Sequence, residues 1–259
     1  MKLMRFLGKM ATPGALALCC AASMAHAHAQ APADGATLLL VNAPYPPYVN
    51  APGDPSGEGM DVEIAREALR RGGYKVALRV VPWKRALAML ERGEADFTTT
   101  ISRSGDRDRY LAWTPGYRTS VRYHFYGRKT GTATLRKLSD LDGRSLGLTV
   151  GFFFPPAITK RLGVSLQTGA SVTQTVQMLD AGRADFIVVN GLAGAWEINR
   201  LGLGSKLALQ PLVYASDSPT YMAFSRARDF ALPLAAMSAG LKSMEKDGSL
   251  ARIEKKYVP

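Results

Sequence analysis

The sequence is poor in the residues that most often carry metal, redox or nucleophilic chemistry. It has two cysteines, and they are adjacent, Cys19 and Cys20. Neighbouring thiols supply neither the spaced ligand pairs of a zinc site nor a disulfide framework. Histidine occurs three times, at His26, His28 and His124. No stretch beyond the N-terminus reaches the ~18 apolar residues that a membrane span requires. Hydrophobic residues make up 47% and charged residues 21% of the chain, which supports a packed core and excludes wholesale disorder. At about 150 residues per domain, 259 residues correspond to one large domain or two small ones.

The N-terminus reads as a secretory signal over residues 1–29. Lys2, Arg5 and Lys9 form a charged start, an apolar stretch runs from Met10 to about Met24, and small-x-small sites follow at Ala25-His26-Ala27 and Ala27-His28-Ala29. Cleavage after Ala29 would remove both cysteines, two histidines and three cations, leaving 230 residues of formal charge +9. An exported chain without thiols must rely on an ordinary hydrophobic core, for which this length suffices.

Residues 37–42 read as a buried strand, and Pro44, Pro46, Pro47, Pro52 and Pro55 impose a loop. Asp61 is placed to cap a helix over Val62–Arg71, which Gly72-Gly73 stops. Strand Lys75–Val81, helix Lys84–Arg92 and strand Ala95–Ile101 follow. Strands alternating with helices at this spacing predict right-handed βαβ units and a parallel sheet. Met89–Phe97 is then echoed by Met178–Phe186, with six of nine residues identical at an offset of 89. Two lobes of similar build are expected, with Asp96 and Asp185 in structural roles at equivalent helix–strand joints. Leu146–Val150, Val172–Asp180 and Asp185–Val189 read as strand, helix and strand. A helix is expected over Asp229–Lys246, with Ser249 capping a short last one. In open parallel sheets ligands gather at the carboxyl ends of strands. That rule brings together Asn42, Tyr45, Trp83, Thr100, Ser102, Phe152, Phe153 and Asn190, an aromatic set with a few polar groups, typical of a small-molecule site.

Several pieces in order resemble a known family. They are Tyr45-Pro46-Pro47-Tyr48, Gly57–Ala65, Val81-Pro82-Trp83, Leu90–Asp96, Ser104–Arg107 through Trp113–Tyr117, Gly182–Asp185 and Asp247–Leu250. Over about 37–257 the chain resembles the bacterial periplasmic solute-binding proteins of the polar-amino-acid type (extracellular solute-binding protein family 3), the receptors of ATP-driven (ABC) importers. The resemblance implies an α/β, two-lobed periplasmic-binding-protein fold of type II with a hinge between the lobes. Lobe I would hold 30–120 and 218–259, and lobe II 121–217, with crossovers near Thr119–Tyr123 and Val213–Tyr221. It implies a monomeric periplasmic receptor that captures an amino acid or related small carboxylate by hinge closure and serves a membrane permease, without cofactor, metal or nucleic-acid partner.

On this resemblance Arg107 matches the arginine that grips the ligand carboxylate, as a guanidinium fork suits two parallel bonds. Thr100 and Ser102 match hydrogen-bonding positions, and Tyr45 and Trp83 match an aromatic clamp. Two departures stand out. Asn190 occupies the position of an aspartate that receives the ligand ammonium, and Phe152-Phe153 replaces two hydroxyl residues. Asn42 stands where an acid is frequent. These changes point to a ligand less zwitterionic than a standard amino acid, with an apolar or aromatic portion. The Phe152–Phe154 run has a second reading, as a buried plug that meets no ligand. The alternative function is a periplasmic enzyme on the same fold, of the cyclohexadienyl or arogenate dehydratase kind. For acid–base work it would draw on Glu58, Asp61 and Glu63, whose simpler reading is a polar helix start. His124 is the one imidazole left for a triad. The cations are scattered rather than blocked, which argues against nucleic acid.

Overall fold

The computed structural model describes residues 35–118, 121–131 and 133–257. The expected leader, 1–29, and Thr119 and Ser120 of the first crossover lie outside these residues. The first part of the chain runs β1 (Thr37–Asn42), α1 (Met60–Arg71), β2 (Lys75–Val80), α2 (Trp83–Glu91), β3 (Phe97–Ile101), α3 (Gly105–Asp108) and β4 (Leu111–Trp113). Next come β5 (Val121–Arg128), β6 (Ser145–Thr149), α4 (Pro156–Thr159), β7 (Ser165–Gly169), α5 (Val172–Asp180), β8 (Phe186–Asn190), α6 (Ala193–Arg200) and β9 (Leu207–Ser216). The chain then completes β10 (Tyr221–Ser225), α7 (Ala231–Lys246) and α8 (Ser249–Tyr257).

These elements form two sheets in a two-lobed α/β architecture. One sheet has the order β2-β1-β3-β10-β4 and the other β7-β6-β8-β5-β9. The parallel expectation holds for β2-β1-β3 and β7-β6-β8. It fails for the remainder: β10 is antiparallel to β3 and β4, and β5 is antiparallel to β8 and β9. Strands that arrive after the chain has crossed between sheets need not follow βαβ winding, because no helical crossover within one sheet connects them. The two connecting segments run side by side, joined by an antiparallel bridge between Arg118 and Thr220.

The repeated joint is built identically in both sheets. Asp96 N–H donates to Leu39 O (3.0 Å) and its Oδ2 accepts the Leu39 N–H (2.7 Å). Asp185 does the same with Ser145, at 3.0 and 2.8 Å. Each aspartate thus supplies a ladder bond where the incoming strand has not yet begun. This explains why the Ala-Asp-Phe signature recurs.

One apolar cluster runs from Leu40, Ile64 and Leu69 through Tyr45 and Tyr48 to Val176 in α5 and Ile198 in α6. Two further clusters lie under α2 and within β5–β8. Helix α7 lies against α1 with no side chain between Gly240 and the Ala68 backbone, and a Cβ at Gly240 would overlap that backbone. Helix propensity favours alanine over glycine by about 1 kcal/mol, but forcing two packed helices apart costs about 1–3 kcal/mol. Backbone cannot swing aside, so the steric cost wins. Gly240→Ala is expected to lower the urea midpoint, whereas Gly105→Ala, with nothing within 4 Å of the added methyl, should leave it unchanged or slightly raised.

Candidate functional site

All nine residues singled out from the sequence, Asn42, Tyr45, Trp83, Thr100, Ser102, Arg107, Phe152, Phe153 and Asn190, line one cavity of about 30 Å³, together with Ile101. Strand ends place most of them: Asn42 closes β1, Thr100 and Ile101 close β3, and Asn190 closes β8. Trp83 is the first residue of α2 and Arg107 lies in α3. Phe152 and Phe153 come from the loop after β6. The cavity therefore lies between the two sheets, at their carboxyl ends, as the winding rule requires.

Arg107 is 6% exposed. Its Nη1 donates to Ser102 O (2.7 Å) and its Nη2 donates across the cleft to Gly151 O (3.0 Å). The guanidinium also lies 5.9 Å from the Trp83 ring centroid. Among the described residues no carboxylate forms an ion pair with it. Burial pushes its pKa below the usual guanidinium value, against smaller opposing effects from Tyr110 and Asp106. A buried cation held by carbonyl dipoles and an aromatic face, with no ion-pair partner among the described residues, retains an unmet demand for negative charge.

Thr100 adopts a left-handed backbone, φ 56°, which is strained for a β-branched residue by about 1–3 kcal/mol. Its surroundings hold it there. Thr100 Oγ1 donates to Asp61 Oδ2 (2.5 Å) and its N–H donates to Tyr117 Oη (3.3 Å). Asp61 is fully buried. It takes a two-pronged bond from Arg118, Nη1 to Oδ1 at 2.5 Å and Nη2 to Oδ2 at 2.6 Å, and another from Tyr117 Oη at 2.5 Å. The Arg118 guanidinium lies 4.7 and 4.8 Å from the Tyr48 and Tyr117 ring centroids. Burial works against the Arg118 charge, but Asp61 and Tyr117 outweigh it and hold its pKa well above the ordinary value. Asp61 is therefore no helix cap. The N-cap position of α1 is Gly59, without a side-chain bond, and Asp61 sits inside the helix because its carboxylate is needed by Arg118.

The aromatic residues bridge the sheets. Tyr45 Oη donates to Asn190 O (2.8 Å), Trp83 Nε1 donates to Gly151 O (2.9 Å), and Tyr48 Oη accepts the Leu192 N–H (2.9 Å). Phe152 sets its ring edge-on to both Tyr45 and Trp83, at centroid distances of 5.2 and 6.3 Å. Phe154 turns the other way, toward Tyr123 at 5.9 Å. Burial raises the Tyr45 and Tyr48 pKa values, so both phenols stay protonated and neutral. A side chain at Gly191, φ 62°, would collide with Tyr48 Oη, so this turn and the Tyr48 contact require each other.

The two asparagines differ. Asn42 is satisfied internally, its Nδ2 donating to Thr99 O (2.9 Å) and its Oδ1 accepting the Ala43 N–H (2.8 Å). Asn190 Oδ1 is buried without a partner. Glu58, Asp61 and Glu63 do not converge: Glu58 pairs with Arg66, and Glu63 with Lys256 and Tyr257. Burial and Arg122 lower the pKa of half-buried His124. Among the described residues no three His, Cys, Asp or Glu side chains converge to hold a metal ion, and no helix is long and apolar enough to cross a membrane. Sequence reasoning missed Ile101, Tyr117 and Arg118. Arg118 meets Asp61 across 57 residues, a separation that no local motif encodes.

Breaking a buried ion pair costs about 3–5 kcal/mol. Arg118 keeps 19% side-chain exposure, so solvent screens part of the leftover charge. Asp61→Asn is expected to cost about 2–4 kcal/mol of unfolding free energy, measured in urea.

A family model described as "Bacterial extracellular solute-binding proteins, family 3" matches residues 38–259. The L-cystine-binding protein TcyA of Bacillus subtilis (strain 168) is 24% identical over 200 residues, covering 77% of this chain and 72% of TcyA. Among solved structures, an ancestral arginine-binding protein bound to arginine superposes with TM-score 0.75 at 20% identity, covering 87% of this chain and 100% of the other. The ancestral amino acid-binding protein AncCDT-1, a precursor of cyclohexadienyl dehydratase, gives TM-score 0.72 at 19% identity over 86% of this chain and 95% of its own. With the match running from β1 to the last residue of the chain, the protein belongs to the bacterial extracellular solute-binding proteins, family 3.

Proposed function

We propose that the chain is the substrate-binding receptor of an ATP-driven importer, exported to the periplasm behind a cleaved leader. It captures an amino acid or related small carboxylate in the cleft. The lobes, 30–120 with 218–259 and 121–217, close on the ligand about the two connecting segments, and the closed form engages a membrane permease. One observation carries this reading: Arg107 is a buried guanidinium facing the cavity with no carboxylate among the described residues paired to it. A ligand carboxylate completes it through charge-assisted bonds of roughly 1.5–3 kcal/mol.

The cross-cleft contacts describe what closure makes. Arg107 and Trp83 both donate to Gly151 O, and Tyr45 donates to Asn190 O. A ligand favours the closed state only through contacts stronger there than in the open one. Arg107 meets that condition, since it touches both lobes. The unpaired Asn190 Oδ1 adds a second demand, for an N–H or O–H donor near the carboxylate. An amide oxygen accepts such a bond but does not neutralise an ammonium, which favours a ligand with a neutral donor. The relatives named for arginine and cystine share the carboxylate, and the asparagine marks where this chain departs.

The dehydratase reading needs a group that protonates a leaving hydroxyl. Among the described residues the cavity lining offers hydroxyls, amides and Arg107 but no carboxylic acid or imidazole, which favours binding over elimination. Incubation with prephenate or arogenate, followed by product absorbance, separates the two, and turnover would replace the receptor reading.

Arg107→Ala is expected to weaken ligand binding at least tenfold in calorimetric titration with an unchanged thermal midpoint. An unaltered Kd would remove Arg107 from the site. In matched titrations, 2-hydroxy acids should bind at least as tightly as amino acids of the same side chain. Tight binding of lysine or arginine with no affinity for non-amino carboxylates would refute the neutral-donor assignment.

A further inference from the structure

The cleft contains two spaces of very different size, on opposite sides of the same two rings. Around Arg107 there are about 30 Å³, room for one water and little more. Beyond Trp83 and Phe152 lies a chamber of about 440 Å³. The larger space falls in the range of small-molecule pockets, and it is about three times the 150 Å³ apolar cavity that admits benzene in an engineered protein.

The chamber is built from both lobes. Pro44, Val81 and Trp83 face it from one sheet, and Thr149, Phe152 and Val172 from the other. Among the described residues no charged side chain lines it. Its few polar side chains are already engaged: Thr149 Oγ1 bonds Thr175 Oγ1 (3.1 Å), and Ser171 Oγ accepts the Gln174 N–H (3.2 Å). Such a space rewards apolar surface by removing it from water and offers a polar group little to bond. Phe152 forms the partition. Its ring meets Tyr45 and Trp83 edge-on and packs against the apolar clusters on either side, and as a hydrocarbon it can rotate without breaking a hydrogen bond.

We propose that this chamber is a second subsite that receives an aliphatic or aromatic arm of the same carboxylate ligand, with Phe152 as the door between the two spaces. The assignment rests on the receptor reading of Arg107. The occupant follows from continuity. Trp83 and Phe152 line both spaces, so a molecule anchored on Arg107 has one adjoining volume large enough for its bulk. The ligand class becomes a small acid with a neutral donor near the carboxylate and an uncharged arm of up to ring size or larger.

The test is calorimetry of two matched series, lactate with 2-hydroxyhexanoate and 3-phenyllactate, and alanine with norleucine and phenylalanine. The proteins compared are wild type, Ala170→Phe and Val81→Trp, which fill the chamber from opposite walls. In wild type, at least one series should tighten tenfold or more from its shortest to its longest arm. Both variants should lose at least fivefold for the longest arm while keeping the shortest within twofold, which also shows that they are folded. Equal affinity along each series, or an arm effect untouched in both variants, overturns the chamber while leaving the carboxylate reading intact. Binding of 2-phenylethanol as tightly as 3-phenyllactate also overturns it, since the space would then act without Arg107. Failure of every member of both series to bind wild type overturns the receptor reading and the chamber with it.

Discussion

The buried carboxylate of Asp61 is the constraint on which the cleft depends. It lies in the first turn of α1, yet it binds Arg118 from the segment that leads to the other sheet, Tyr117 beside it, and Thr100 at the end of β3. Through these bonds one negative charge fixes the start of a helix, the end of a strand and the root of a connection between lobes. It also holds Thr100 in a backbone conformation that a threonine would otherwise avoid. The Arg118 guanidinium passes the restraint on to Tyr48, whose hydroxyl meets Leu192 on the second sheet.

The contrast with Arg107 is that of a paired buried charge with an unpaired one. Both arginines are buried or nearly so, but one has a dedicated carboxylate and the other, among the described residues, has carbonyl oxygens and the Trp83 ring. A protein that evolves a fixed core pairs its buried charges, because an unpaired one is costly. Arg107 and the orphaned Asn190 oxygen remain unpaired on the two faces of one small cavity. The rings of Tyr45, Trp83 and Phe152 wall the space around them, and this low-polarity surround strengthens any charge-assisted bond made there.

Much of the frame could be read directly from the residues. β1, α1, β2 and α5 follow hydrophobic periods, and Gly72-Gly73, Gly93 and Gly182 end helices where expected. The Ala-Asp-Phe repeat correctly announced two equivalent joints, since the aspartate's double bond to the neighbouring strand is local chemistry tied to a fixed sequence position. The antiparallel insertion of β10 was not legible. Tyr221–Ser225 is a short apolar run whose partners, β3 and β4, lie more than a hundred residues away, and periodicity carries no information on pairing. Asp61 was misread for a related reason: an acid at a helix start has the same local signature whether it caps the backbone or serves a distant arginine.

Composition and order alone determined that both cysteines and two of the three histidines fall within residues 1–29, that two α/β units repeat, and that polar and aromatic residues fall at strand ends, because these follow from residue identity and short-range spacing. Only the tertiary structure decided which of those residues remain available. It used up Asn42 and Asp61 in internal bonds, left Arg107 and Asn190 unsatisfied, and set Phe152 between a space for one water and a much larger apolar one. Availability is a property of what stands opposite each group, and the opposing groups come from the other lobe.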